Sequence, residues 1–342
     1  MSRMKTIKGK RILIFGGTGS LGKVLIKKYV DSNVVCVFSR DESKHWTIRN
    51  EIDHANLSFV IGDVRDKKRC LEAILTFKPT HIILAAALKH VDVCEKSPME
   101  SIFTNIKGIS NVVDSVKENL DRFDFLKTVL LVSTDKACSP INVYGMCKAL
   151  AERTILSASQ LNTKTKFIVV RYGNILESRG SIIPLFKYQS ENCSSITITD
   201  DRMTRYAMTL NESVELIEAA ILEAKNGETW VPKMPSMKII DLAEIFSETF
   251  DKPIKSIGMR PGEKIHEDLI NEAESARTRS AGKYLAVLPS STTPFTGQQH
   301  KMDSSKSLLS KVQLKEYLST LGILNRPLPS FVGKTIEEIR KI

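Results

Sequence analysis

The sequence predicts an α/β fold, a doubly wound parallel sheet with a smaller interleaved lobe, on three observations. Short apolar runs recur through the first half of the chain, each followed by a stretch long enough for a helix. A glycine-rich turn comes directly after the first run, where such folds receive ligands. After about Gly173 the alternation weakens, and strand-like and helical stretches interleave without the earlier regularity.

In order along the chain, KRILIF at 10–15 reads as the first strand and GGTGSLG at 16–22 as the turn. A helical pattern follows through Leu21, Val24, Leu25 and Tyr29, then a second apolar run at 34–38. Runs at 57–61, 81–86, 128–132 and 167–170 repeat the theme. Beyond them, ITIT (196–199) and TWVP (229–232) read as strands between helical patterns at 211–224 and 239–250. The segment 289–307 is rich in Ser, Thr, Gly and Pro and reads as a linker, before an amphipathic helix within 308–321. The expected organisation is a dinucleotide-binding Rossmann domain over 1–173, a substrate-binding lobe over 174–288 woven into the last sheet strands, and a linker with a C-terminal helical tail over 289–342. No internal repeat is present.

Composition narrows the function. The 342 residues are 42% hydrophobic and 26% charged, as in ordinary globular proteins. No uncharged apolar run approaches the roughly 18 residues that a bilayer requires, and the basic N-terminus leads straight into a strand. A cytoplasmic protein without a membrane partner is expected. The six cysteines (Cys36, Cys70, Cys94, Cys138, Cys147, Cys193) are scattered without a CxxC pair, so neither a metal site nor a disulfide framework is expected. The formal charge of +11 is spread along the chain and aromatic residues are only 6%, which argues against a nucleic-acid partner. Some of that charge suits a small polyanionic ligand.

The glycines Gly16, Gly19 and Gly22 permit a tight turn and close approach of backbone to a pyrophosphate, held at the following helix N-terminus. Thr18, Ser20 and Leu21 complete that cofactor loop. The second strand ends in Ser39, Arg40 and Asp41, with Lys44 beyond, where an NAD enzyme offers a carboxylate to the ribose. Arg40 suits a 2'-phosphate better, so NADP is favoured over NAD. Asp63 and Val64 fall within reach of an adenine ring, and the small residues Ala85 and Ala86 leave room for the cofactor. Ser133 and Lys89 are expected to line it further along.

YGMCK separates Tyr144 and Lys148 by one helical turn, so both point to one side. A lysine there can lower the phenol's pKa and bond the nicotinamide ribose, making tyrosine a usable base. With the preceding VST and the Rossmann half, residues 10–269 resemble the extended short-chain dehydrogenase/reductase superfamily. In that comparison Thr134 takes the position of the hydroxyl residue that orients the reacting hydroxyl of the substrate.

The motifs SRDE, AALKH, STDKA, NVYGMCK, RYGNIL, SRGS, MTR and MRPGEKIHE resemble the UDP-N-acetylglucosamine 4,6-dehydratases of the short soluble class, which also invert C5. The resemblance implies that Tyr144 removes the O4 proton as hydride passes from C4 to NADP. Lys136, neutral, then takes the C5 proton, and Asp135, protonated, gives one to the departing C6 hydroxyl before the hydride returns to C6. Lysine must therefore be depressed and aspartate raised in pKa, with burial and a cationic Lys148 as the expected causes for the lysine. NADP would stay bound, being regenerated in every turnover. The resemblance further implies UDP-GlcNAc contacts from Lys89, Asn174 and Arg205, pyrophosphate and ribose contacts from Arg260 and Glu263, and a homo-oligomer. A UDP-hexose 4-epimerase or reductase on the same fold is the nearest rival, and a non-enzymatic NADP sensor the more distant one.

Overall fold

A computed structural model describes residues 6–161, 164–178, 180–291 and 300–325. Six parallel strands, β1 (Arg11–Phe15), β2 (Val34–Ser39), β3 (Leu57–Ile61), β4 (His81–Leu84), β5 (Thr128–Val132) and β6 (Lys166–Val170), lie in the spatial order β3-β2-β1-β4-β5-β6. Chain order reverses beside β1, which pairs with β2 on one side and β4 on the other. That crevice is where a doubly wound sheet receives a ligand.

The continuous apolar runs follow from burial on both sheet faces. Ile12 and Ile14 of β1 pack with Leu25, Ile26 and Tyr29 on one face, while Leu13 and Phe15 pack with Phe38, Ile74 and Val112 on the other. Helix α1 (Ser20–Tyr29) turns its buried residues to the first cluster.

The sheet does not end at β6. Thr229–Pro232 runs parallel to β6, and Tyr284–Val287 and Thr278–Ala281 extend the sheet antiparallel, to nine strands. The smaller lobe holds a three-stranded sheet of Ser236–Lys238, Thr204–Met208 and Asn174–Ile175, and its own core around Phe186, Leu242 and Phe246. Helix Lys311–Thr320 contributes Leu314 and Leu318 to that core.

Residues 292–299 and 326–342 lie outside the described residues. Residues 300–307 depart from the linker reading. Met302–Asp303 pairs with Asp268–Ile270, and Ser304 is completely buried. Its hydroxyl meets Thr204 Oγ1 at 2.6 Å and accepts from the Glu267 backbone N–H at 2.9 Å. Small hydroxyl residues look linker-like in composition, yet they bury without penalty once their hydrogen bonds are made.

Candidate active site

The crevice beside β1 starts with Gly16, whose φ of +81° suits glycine and whose added Cβ would lie 2.5 Å from Ala86 Cα. This close approach draws Ala85 and Ala86 against the turn. Gly19 stands at the N-cap of α1 without a side-chain cap, and no acidic residue occupies the first helical turn, which includes Ser20, Leu21 and Gly22. Backbone N–H groups at the positive end of a helix suit a pyrophosphate. These residues fit a nicotinamide dinucleotide.

Around the expected adenosine end, Thr18 donates to Ser39 Oγ, which in turn meets His45 Nε2 at 2.7 Å. Asp41 caps the next helix, accepting from the Lys44 backbone N–H and pairing with the Lys44 ammonium. Its carboxylate falls below the ordinary aspartate value, chiefly through the Lys44 hydrogen bond. Arg40 reaches outward, 60% exposed, with Asp63 Oδ2 3.8 Å away. Asp63 is also bound by Arg65, and Val64 is buried against Gly108. Lys89 is exposed at the rim. The Ser133 hydroxyl, expected at the cofactor, donates instead to buried Glu152, which also pairs with Arg171.

The reacting centre forms where β5 ends. Thr134 caps a single 3-10 turn, Asp135–Ala137, and its hydroxyl donates to Asp135 Oδ1 at 2.9 Å. Helix Val143–Ala158 packs across that turn because Gly145 has no side chain: a Cβ there would lie 2.2 Å from the Lys136 carbonyl oxygen. Asn142 fixes the helix start, accepting from the Gly145 N–H at 2.7 Å and donating to the Gly262 carbonyl at 2.8 Å. Tyr144 and Lys148 thereby come to the carboxyl edge of the sheet, both buried.

The charges depart from expectation in two ways. Lys136 Nζ lies 3.2 Å from Asp135 Oδ1 and 3.1 Å from Glu267 Oε1. Burial disfavours its charge, but the two carboxylates outweigh burial and raise its pKa above the ordinary lysine value; the cation opposing them is Arg205, not Lys148. Lys136 is therefore an ammonium here, not the neutral amine that the resemblance implies. The depressed lysine is Lys148, pushed down to about 8 by burial. Its ammonium donates to the Val132 carbonyl at 2.6 Å. Burial raises the Tyr144 phenol, while Lys136 and a hydrogen bond with Thr134 favour its ionised form. Lys136 is thus a cation that assists Tyr144 in this structure.

Farther out, Arg205 is anchored by donation to the Thr204 and Ile265 carbonyls, with Nε 3.9 Å from Glu267 Oε1. Asn174 sits in the small sheet with its Oδ1 buried and without a hydrogen-bond partner among the described residues. Asp135 Oδ2 and Glu267 Oε2 share that condition. Such atoms are costly in a protein interior and mark positions where function outweighs stability. Glu263 accepts from the Arg260 backbone N–H at 2.9 Å, closing its own turn. Glu267 closes the MRPGEKIHE motif, and its only sequence signal is a carboxylate three residues past Lys264. Ser304, which pins it, gave no signal at all.

The profile of the polysaccharide biosynthesis protein family matches residues 12–289. The chain belongs to this family. It is an extended short-chain dehydrogenase/reductase, a member of a superfamily of NAD(P)-dependent enzymes. A UDP-N-acetylglucosamine 4,6-dehydratase (inverting) from Campylobacter jejuni is 40% identical over 287 residues, 82% of this chain and 83% of that protein. A UDP-glucose 4-epimerase from Rickettsia typhi is 37% identical over 288 residues, 81% of this chain and 82% of its own. The solved structure of Pen from Bacillus thuringiensis has a TM-score of 0.85 and 34% identity, covering 92% of this chain and 99% of that one. Among the described residues, no helix is long and apolar enough to cross a membrane.

Two outcomes follow from this geometry. Gly16→Ala should purify with its nicotinamide cofactor largely lost, read as cofactor released per chain after denaturation; full occupancy would contradict the tight turn. Lys148 titrates near 8 when folded and at its ordinary value of 10.5 when unfolded. Between these values the unfolded chain holds a proton that the folded one lacks, so stability rises with pH across that window. Lys148→Met should flatten this rise in denaturant unfolding measured from pH 8 to 10; equal slopes would refute the shift.

Proposed function

We propose that the protein is an NADP-dependent UDP-N-acetylglucosamine 4,6-dehydratase that inverts C5, giving UDP-2-acetamido-2,6-dideoxy-β-L-arabino-hexos-4-ulose. The observation that carries this reading is the acid and amine, Asp135 and Lys136, beside Thr134 and Tyr144 at one strand end. A 4-epimerase needs a base at O4 and nothing more at this point. A dehydratase also needs a group to take the C5 proton and another to protonate the leaving C6 oxygen.

The dinucleotide would be held by the Gly16–Gly22 turn and α1, with Arg40 toward a 2'-phosphate. Engagement of Asp41 by Lys44 supports NADP, since that carboxylate is already committed. When bound, the nicotinamide supplies reversible two-electron redox chemistry. Tyr144 takes the O4 proton, with Thr134 orienting the hydroxyl. A ketone at C4 acidifies the C5 hydrogen. As the C5–H bond breaks, its proton passes to Lys136 Nζ and its electrons form the C5–C6 double bond; the C6–O bond breaks, and Asp135 protonates the oxygen to release water. The reducing equivalent taken from C4 would be returned to C6 by the nicotinamide, and a proton delivered to C5 from the opposite face completes the 6-deoxy sugar with C5 inverted. Arg205 and Asn174 hold the sugar, and Arg260 and Glu263 the nucleotide.

The cationic state of Lys136 favours the epimerase reading, because an ammonium takes no proton. The difference between the resting and reactive pairs is a single proton. Moving it from Lys136 Nζ to Asp135 Oδ1, along a hydrogen bond of 3.2 Å, yields the amine and acid together. Both forms of the pair are neutral overall, so no exchange with solvent is needed. Substrate covering Lys136, whose side chain is 18% exposed, removes water from the ion pair and favours the uncharged form.

Incubation with UDP-GlcNAc in heavy water, without added reductant, tests the reading. The expected product lacks the C6 hydroxyl and carries deuterium at C5 by NMR. Inversion at C4 alone would assign an epimerase, and no turnover would leave the sensor.

A further inference from the structure

The catalytic pair does not stand alone. Glu267 comes from the loop before Asp268–Ile270 and closes on the same Lys136 Nζ that Asp135 approaches. Its side chain is 2% exposed, its Oε1 lies 3.1 Å from Lys136 Nζ, and its Oε2 has no hydrogen-bond partner among the described residues. Its backbone is clamped by Ser304, which receives the Glu267 N–H at 2.9 Å and returns its own N–H to the Glu267 carbonyl at 2.8 Å. A buried carboxylate held this firmly beside a base is expensive to retain for stability alone.

We propose that Glu267 is a positioning residue that acts through Lys136, fixing its Nζ at the reacting centre and stabilising the ammonium that forms there as the C5 proton arrives. The proposal rests on the dehydratase reading for its catalytic consequence. In the reactive pair Asp135 is already protonated, so it offers no charge to the ammonium that develops on Lys136. Glu267 supplies it, with Oε1 3.1 Å from Nζ. The charged and titratable groups facing this pair are Asp135 and Tyr144 on the sheet side, and Arg205, Lys264 and Asp268 on the smaller lobe. Arg205 lies 3.9 Å from Glu267 Oε1 and Lys264 4.0 Å from its Oε2, so two cations face this carboxyl group besides Lys136.

The test compares holoenzyme with Glu267→Gln and Glu267→Asp, each checked for folding by circular dichroism and for bound cofactor. In lysine labelled with carbon-13 at Cε, the Lys136 signal is assigned by its loss in Lys136→Met. Its titration should begin at lower pH in Glu267→Gln by roughly one pH unit or more, the effect of removing one close opposite charge. An unchanged titration overturns the proposal whatever the activity. With UDP-GlcNAc deuterated at C5, Glu267→Gln should lose roughly tenfold or more in kcat, the equivalent of about one pKa unit. Its C5 isotope effect should rise above that of the wild type, and Glu267→Asp should recover part of the rate. A fall in kcat with an unchanged isotope effect would show a merely structural role and overturn it. Absence of C5 exchange in the wild type would instead sink the dehydratase reading, while the titration still decides whether Glu267 governs Lys136.

Discussion

An ammonium held between two buried carboxylates is the constraint on which the centre depends. Asp135 arrives from the edge of the large sheet and Glu267 from the smaller lobe, so Lys136 ties the two together. Buried ion pairs of this kind give little net stability, yet removing one partner strands the others in a poor solvent for charge. Arg205, Lys264 and Asp268 bring the local count to three positive and three negative groups, so the cluster is balanced overall. Two of its carboxylate oxygens have no hydrogen-bond partner among the described residues, so the balance there is electrostatic. An interior tuned for stability alone would have closed that gap.

The rest of the fold positions this cluster. Parallel strands carry their carboxyl ends to one edge, where the chain order reverses beside β1 and β5 delivers Thr134 and Asp135. Gly145 lets the helix bearing Tyr144 and Lys148 lie against the Lys136 carbonyl, and Asn142 joins that helix to the Gly262 turn of the smaller lobe. Behind the centre, Arg171 pairs with Glu152 and Glu274 and donates to the Leu269 carbonyl, bracing β6 against the segment that leads into the outer strands of the large sheet. Glu152 also binds Ser133, which is why that hydroxyl faces inward.

The large sheet was legible because strands buried on both faces leave continuous apolar runs, and β1 to β6 fall on the runs so identified. Tyr144 and Lys148 were legible because helical spacing alone puts them on one side. The antiparallel extension by Tyr284–Val287 and Thr278–Ala281 was not, since pairing between segments distant in sequence leaves no local period. Residues 300–307 were misread because composition reports hydroxyl content and not whether each hydroxyl finds a partner. The charge on Lys136 was beyond the sequence for a related reason: it depends on Glu267, 131 positions away, which only folding brings within 3.1 Å.

The dehydratase reading requires Lys136 to handle the C5 proton, a step that no epimerase needs. The most direct measurement is the deuterium content at C5 of UDP-GlcNAc recovered from Lys136→Met in heavy water, in a preparation shown by calorimetry to bind the sugar nucleotide. The account predicts no deuterium at C5 and no 6-deoxy product. Deuterium entering C5 at the wild-type rate would contradict it.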